Sequence, residues 1–549
     1  MREADQVAIV SWREWRWAIL AALLIAALAG LPYCVTWLRC PPGTVYTGLL
    51  FNPFDGHSYL AKMRQGVNGD WLFRLPFTPE AQRPTFLFGY YLLLGHLSNW
   101  FGLSLPVMYH VARSANGVGL LLVGYRFAAE FIAHVSGRRL AFLFFALSSG
   151  LSWAAVSFGL VGLDMQLIET NTFFSMLSNP HFPLAGALLL LIFLGVASPL
   201  DQIESPDVQA RHGGLFASSV RRSILVCSAS AALAIVFPFI VIVAYAVLLT
   251  FLTARSLTRR RWSAAEWVRV VTGGLPSGAL LVYYWMVTQH DPVIAAWRVQ
   301  AYNALVTASL WQTLLGYGLL TPLALVGAIW GLRRGRGVFL VIWAVVALGL
   351  VFAPLGLQLR LLLGLNLAMA VLAAMGAFYA LRLTASHRRR LILAAIVAAL
   401  VPTNLMMVLF HLPDDMSAAT WPLFMTGGEA AAFAWLRDSV PPEELVLCSP
   451  KMGLMIPAWA GQRVVYGHGV ETVDAVNKKA EVEGLFSGMT NWTEFLRKYD
   501  VQYIFVGPKE RELGEVGPTW LQMRFPLEVS YANDEVTIYR VAALIGEER

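Results

Sequence analysis

Apolar residues run through this chain in blocks of about twenty, separated by short polar stretches. A helix needs about that length to cross the hydrocarbon of a bilayer. The first block predicts a span over residues 17–38. The segment 39–106 then stands outside as a large loop. Within it, residues 86–103 are apolar but carry His96, Ser98 and Asn99, which suits a juxtamembrane or re-entrant helix. Further spans are predicted over 107–124, 140–161, 182–196, 267–287, 310–330, 338–352, 361–380 and 391–411. Residues 223–254 are too many for one span and have Phe237-Pro238 at their middle. Proline removes a backbone donor and breaks helices, so two short spans in a hairpin fit there.

Beyond residue 411 the pattern changes. "PPEELVLCSP", "RVVYGH" and "VQYIFVGP" are short β-type runs closed by Pro, Gly or a polar residue. Helical patterns lie between them at 428–438 and 476–499, and "LEVSYANDEVTIYRV" reads as a terminal hairpin turning at Asn533-Asp534. Two domains follow: a transmembrane one over 1–411 and an α/β one outside the membrane over 412–549. The fold class expected is mainly α, a polytopic bundle of about eleven spans with that C-terminal domain.

Charge orients the bundle. Arg2, Arg13 and Arg16 precede the first span, and "RSLTRRR", "RRGR" and "SHRRR" fall between later ones, as does the polar stretch 198–222. Cytoplasmic loops carry such excesses of Lys and Arg. The N-terminus is then inside, and both the first loop and the C-terminal domain are outside.

Composition agrees: 57% of the 549 residues are hydrophobic and 14% are charged, against about 25% charged in soluble domains. The net charge of +7 sits in loop blocks, which does not suggest nucleic acid. The four cysteines, Cys34, Cys40, Cys227 and Cys448, have neither metal-ligand nor disulfide-framework spacing. Ala27-Leu28-Ala29 mimics a cleavage site, but the apolar run continues on both sides, as in an uncleaved anchor. A bacterial inner membrane with the active side facing the periplasm fits; an endoplasmic reticulum membrane stays open.

Candidate chemistry gathers in "FNPFDGHSYLAKMRQGVNGDWLF", just outside the first span. Leu60, Met63 and Val67 recur at helical spacing, so a helix begins just after Asp55 and stops near Gly69-Asp70. Asp55 is then either the helix N-cap or a general base. His57, Lys62 and Arg64 beside a bilayer suit a substrate with a lipid tail and an anionic head; solvated or headgroup-facing side chains are the plainer alternative. The second outer loop, "GLDMQLIETNTFFSMLSNPHFP", holds Asp164, Glu169 and His181, which serve either a site or simply the loop. Arg360 lies at the outer end of a span, where it either meets a phosphate or snorkels to the interface. His468 and Glu471 in "YGHGVET" follow a predicted strand, in a binding loop or a structural turn. Asn491-Trp492-Thr493 has the pattern of a glycosylation sequon. His57 is close to Asp55, yet no spacing demonstrates a metal; a divalent ion stays open.

The pattern F-D-G-H-S-Y-L-A-K-M-R-Q-G-V-N-G-D-W, followed by Pro-Thr-Phe, resembles the first outer loop of the GT-C superfamily. Those are polytopic glycosyltransferases using polyprenyl-phosphate sugars, among them protein O-mannosyltransferases and the aminoarabinose transferase of lipid A. "YRFAAEFIAHVSGRRLAFLFFAL" and "PLGLQLRLLLGLNLAMAVLAA" are similar to further parts of that family. This chain has Gly56 where many members carry a second acid. The resemblance implies an inverting transfer from a polyprenyl-phosphate-linked sugar to a hydroxyl of a glycan, lipid or protein acceptor. It implies Asp55 as base, Glu169 as a second acid and Arg360 on the lipid phosphate, with Lys62 and Arg64 as second candidates there; His57, His181 and His468 are candidate substrate-binding residues by their positions in the sequence. Rival classes are a secondary transporter or lipid flippase and a non-catalytic assembly protein. The first would favour repeated halves, and no second copy of the loop occurs. The second needs no acid beside the membrane.

Overall fold

The computed structural model describes residues 10–196, 215–260, 262–303, 309–353, 358–382, 386–410, 421–489, 491–514 and 527–541. The expected loop 198–222 lies outside them up to residue 214; from there the chain is helical, Leu215–Val236. The contacts divide the chain into two units. One comprises Met1–Pro32, Val111–Tyr283 and Leu305–His411; the other comprises Tyr33–His110, Tyr284–Ala304 and Leu412–Arg549.

Helix α1 (Trp12–Leu38) opens the chain. Among the described residues, five helices are long and apolar enough to cross a membrane: α1, Phe239–Thr258, Ala264–His290, Gln358–Arg382 and His387–Phe410. They become seven if each of two bent pairs is one span. The chain is an integral membrane protein of mainly helical structure. Of these five, Gln358–Arg382 is the most deeply buried. It is crossed closely by Leu320–Leu332: a Cβ on Gly327 would meet the Leu372 carbonyl at 1.9 Å, and one on Gly376 the Leu323 carbonyl at 2.1 Å. Small residues let membrane helices approach to backbone contact in this way.

Two of the expected spans are bent. The stretch 310–330 breaks by 82° between Leu310–Tyr317 and Leu320–Leu332, at Gly318 with φ +47° and ψ −129°. The stretch 140–161 breaks by 46° between Val135–Leu147 and Ser152–Phe158. The two breaks touch: Leu151 N–H donates to Leu315 O at 3.0 Å, and a Cβ on Gly150 would meet that carbonyl at 2.3 Å. Each break thus satisfies backbone groups that would otherwise be orphaned in an apolar setting. The hydropathy of both stretches is continuous, so periodicity could not reveal them. Phe237-Pro238 does separate two helices, Leu215–Val236 and Phe239–Arg259.

The second unit contains all of segment 39–106, the expected first outer loop. β1 (Thr44–Tyr46) precedes α2 (Pro53–Val67) and α3 (Gly89–Phe101). α4 (Leu105–Ala128) then runs on into the first unit. β1 pairs antiparallel with β2 (Phe424–Thr426). β3 (Leu445–Leu447), β4 (Arg463–Val464), β5 (Tyr503–Val506), β6 (Leu527–Ala532) and β7 (Thr537–Val541) form one sheet in the order β4-β3-β5-β7-β6. The first three strands in that order are parallel and the last two pairings antiparallel. Helices Gly427–Ser439 and Pro450–Trp459 start at side-chain caps, Thr426 and Ser449. The single helix expected over 476–499 is two, Ala475–Phe486 and Trp492–Tyr499, with Gly488 at φ +77° between them. Asn491 caps the second of these, its side chain accepting from Thr493 N. Residues 86–103, read as juxtamembrane or re-entrant, form a 13-residue helix packed on α2.

That packing seats the start of the first loop. A Cβ on Gly66 would meet Leu92 O at 2.1 Å, and one on Gly95 would meet Met63 O at 2.0 Å. Gly66→Ala is therefore expected to push α3 off α2 and destabilise the protein by about 1–3 kcal/mol. Thermal unfolding in detergent checks this beside Gly119→Ala, whose added methyl meets nothing within 4 Å and should leave the melting temperature unchanged or slightly raised.

Candidate functional site

The loop chemistry starts at the first turn of α2. Asn52 is the N-cap, with left-handed φ 47°, and Pro53 follows at the first helical position. Asp55 is thus the third residue of the helix and not its cap. Its carboxylate accepts from Asn52 Nδ2 at 2.6 Å and lies 3.4 Å from His468 Nε2. His468 Nδ1 in turn accepts from the N–H groups of Val470 and Glu471, both at 3.2 Å. A ring nitrogen that accepts carries no proton, so the proton sits on Nε2, facing Asp55. Thr472 Oγ1 accepts from Gly467 N and His468 N and holds the turn. The Asp55 side chain is 41% exposed, so an oriented carboxylate still opens on solvent.

Two helical turns further on, Lys62 is fully buried. Its ammonium donates to both Glu471 oxygens, at 2.8 and 3.1 Å, and to Ser58 Oγ. Ser58 Oγ–H donates to Glu471 at 2.6 Å, and the Phe88 ring centroid lies 4.3 Å from the Lys62 nitrogen. Burial pushes the Glu471 carboxyl up, but the charge of Lys62 and the hydrogen bonds from Lys62 and Ser58 outweigh it, leaving the group below its ordinary 4.5. The cation read as either substrate-binding or solvated and lipid-facing is the internal partner of a residue 409 positions away. Arg64 Nε donates to Ala458 O at 3.3 Å; burial, then Arg437, pulls its guanidinium down to about 10.

His57 is also fully buried. Its Nδ1 meets Pro53 O at 2.8 Å as the donor, and among the described residues its Nε2 has no hydrogen-bond partner. Burial, and secondarily the nearby His468, pulls its pKa down to about 4. The G-D-W stretch ends α2. Gly69 takes φ +100°, and Trp71 stacks on His96 of α3 with centroids 3.9 Å apart. Lys478 pairs with Glu80, and Arg463 donates to the carbonyls of Thr78 and Glu80 at 3.0 and 2.9 Å. The first loop is thereby fastened to the sheet domain at several points.

In the membrane unit, Glu169 and Arg360 meet at 2.6 Å. The carboxylate is buried, while the guanidinium side chain is 36% exposed. A cavity of about 20 Å³ adjoins Glu169, Thr172, Asn366 and Trp343, room for about one water. Asp164 accepts from Ser152, and burial leads in raising its pKa. His181 is buried at the head of helix His181–Val196, its ring 4.0 Å from that of Phe182 and 5.7 Å from Phe237. Arg113, which drew no attention in the sequence, is buried and donates to Met176 O at 2.7 Å and Ala29 O at 3.3 Å.

Of the residues singled out by sequence, Asp55, His57, Lys62, Arg64 and His468 share the second unit, and Glu169, His181 and Arg360 share the first. Asn52 and Ser58 were missed. Ser58 had one available signal: it precedes Lys62 by one helical turn, where side chains meet. Among the described residues no group of three or more His, Cys, Asp or Glu is placed to hold a metal ion.

No sequence-family profile and no curated protein sequence matches this chain. Solved structures do resemble it. The oligosaccharyltransferase of Archaeoglobus fulgidus, tethered to an acceptor peptide containing the NVT sequon, superposes with TM-score 0.53 at 15% identity over 91% of this chain and 70% of its own. Its apo form gives 0.52 at 14%, over 97% and 76%. The arabinofuranosyltransferase AftD from Mycobacteria gives 0.50 at 15%, over 98% of this chain and 41% of its own. The likeness is one of fold, which is GT-C-like.

Two stability effects follow from the buried groups. Lys62→Met leaves Glu471 buried without its counter-charge, an expected loss of about 3–5 kcal/mol. Lys62→Met/Glu471→Leu should recover much of it, as thermal melts in detergent would read. Between pH 6.5 and about 4 the unfolded chain protonates His57 and the folded chain does not, so stability rises with pH across that window. The melting temperature should therefore fall on acidification from 6.5 to 4, and His57→Phe should flatten that slope. A slope that persists in the variant would assign it to other groups.

Proposed function

We propose that this protein is a glycosyltransferase that moves a sugar from a polyprenyl-phosphate donor to an acceptor hydroxyl, with inversion, on the extracytoplasmic side of the membrane. The observation that carries the reading is the Asp55 carboxylate. It opens on solvent at the first turn of α2, oriented by Asn52 at 2.6 Å and by His468 at 3.4 Å, in a GT-C-like fold. A general base must be a positioned carboxylate within hydrogen-bond reach of the acceptor, and Asp55 has that character. His468, as an Nε2–H donor, orients the carboxylate and steadies it through the transfer. Lys62, with its charge committed to Glu471, is a positioning residue. His57 backs the helix turn that bears Asp55.

In the membrane unit, Arg360 suits the phosphate that gains charge as the sugar departs, since preorganised cations stabilise such a leaving group. Glu169 fixes that guanidinium. The topology that goes with this reading has about eleven spans, the N-terminus inside and the C-terminal domain outside, in a bacterial inner membrane. The acceptor class, whether glycan, lipid or protein, is the part that the test must supply.

The test is transfer from a panel of radiolabelled polyprenyl-phosphate sugars by purified protein in lipid. Asp55→Asn is expected to lower turnover by roughly 10²–10⁴-fold, the range of general-base contributions, without a change in melting temperature. His468→Gln should lower turnover less and shift its pH profile. Full turnover in Asp55→Asn would move the base elsewhere. Absence of turnover by folded wild type with every donor would favour the transporter or assembly readings.

A further inference from the structure

A second charged site lies in the membrane unit, away from the residues treated so far. A cavity of about 130 Å³ is walled by three separate segments: residues 131–137, residues 330–336 and residues 374–382. About 10–15 Å³ is enough for one water, so this space takes a larger group. Its polar lining is cationic. Arg334, Arg336 and Arg382 all border it, with His134, and among the described residues no carboxylate lines it. Arg382 donates to His134 Nε2 at 3.4 Å. The guanidinium of Arg382 sits 5.0 Å from the Phe378 ring and that of Arg334 4.6 Å from the Trp330 ring. The two rings and Phe131 make the floor apolar under a basic rim.

Backbone features hold this arrangement. Gly335 and Gly337 take φ +65° and +76°, and Arg336 N donates to Gly331 O at 2.8 Å, so the tight turn brings Arg334 and Arg336 to one opening. The helix Val135–Leu147 begins here without a side-chain cap at His134, and its Gly137 lines the cavity. The N-terminal end of a helix carries positive potential. Three guanidinium groups held together without a carboxylate repel one another, and an anion relieves that repulsion. Arginine forks match phosphate oxygens, and an apolar floor beside such a rim suits an amphiphile. All three segments stand where the charge pattern of the sequence assigned cytoplasmic turns.

We infer that this cavity binds a phosphate-bearing ligand, the headgroup of an anionic phospholipid, at the cytoplasmic ends of these helices. The guanidinium groups take the phosphate oxygens, and the aromatic floor takes the glycerol and first methylenes. The site is independent of the transferase reading.

Purified full-length protein in a neutral detergent is titrated with phosphatidylglycerol, phosphatidylcholine of the same chains and inorganic phosphate. Binding is read by native mass spectrometry and by the shift in melting temperature. Phosphatidylglycerol should bind the wild type, and Arg334→Gln/Arg382→Gln should weaken it on the order of tenfold or more for two charges removed near an anionic headgroup. Arg388→Gln/Arg390→Gln, exposed on the neighbouring basic stretch but outside the cavity, should bind as the wild type does. Inorganic phosphate binding with the same arginine dependence would keep the site and assign it to the free anion. Equal loss in both double variants would mean general surface charge and overturn the proposal. So would unchanged binding in Arg334→Gln/Arg382→Gln, or no binding of either phosphate probe by wild type. Arg382→Gln alone replaces the double variant should that one melt early without ligand.

Discussion

The second unit depends on one buried ion pair, Lys62 with Glu471. Taking two charges out of water costs several kcal/mol per ion, and their attraction offsets this only when the geometry is good and the remaining hydrogen bonds are made. Here Ser58 bonds to both partners and the Phe88 ring faces the ammonium. The arrangement works only if α2 and the 467–472 turn hold one relative position. That same turn aims His468 at Asp55. A core interaction therefore sets the geometry of an exposed carboxylate two helical turns away along α2, and the close α2–α3 crossing at Gly66 and Gly95 also holds α2 in place.

The membrane unit follows a similar rule with less water at hand. Arg113 spends its donors on backbone carbonyls of two segments, and Glu169 is buried against Arg360. The two helix breaks join Leu151 to the Leu315 carbonyl. In an apolar medium an unpaired polar group costs several kcal/mol, so irregular backbone and charged side chains persist where each finds a partner.

The likeness to the oligosaccharyltransferase and AftD structures at 14–15% identity is a likeness of architecture. Fold alone does not fix function. What bears on chemistry here is local: an acid at the start of a helix, an imidazole tautomer set by two backbone donors, and a guanidinium–carboxylate pair at the head of the most buried candidate span.

The sequence by itself determined the membrane class, the short strands beyond residue 411 and a helix in the first loop that stops near Gly69, although that helix starts at Pro53, ahead of Asp55. These depend on composition, on run length and on period, which are local and additive along the chain. It also singled out Asp55, His468, Glu169 and Arg360, because acids, imidazoles and guanidinium groups stand out where the surroundings are apolar. Only the tertiary structure decided who pairs with whom. Asp55 with His468, Glu169 with Arg360 and Lys62 with Glu471 are contacts across hundreds of residues, with no periodic trace. Lys62 shows the reason most plainly. Whether a charge on an amphipathic helix meets solvent or the core depends on a partner that arrives from elsewhere in the chain. The bends at Gly150 and Gly318 were hidden for the same reason, since each exists to accommodate the other.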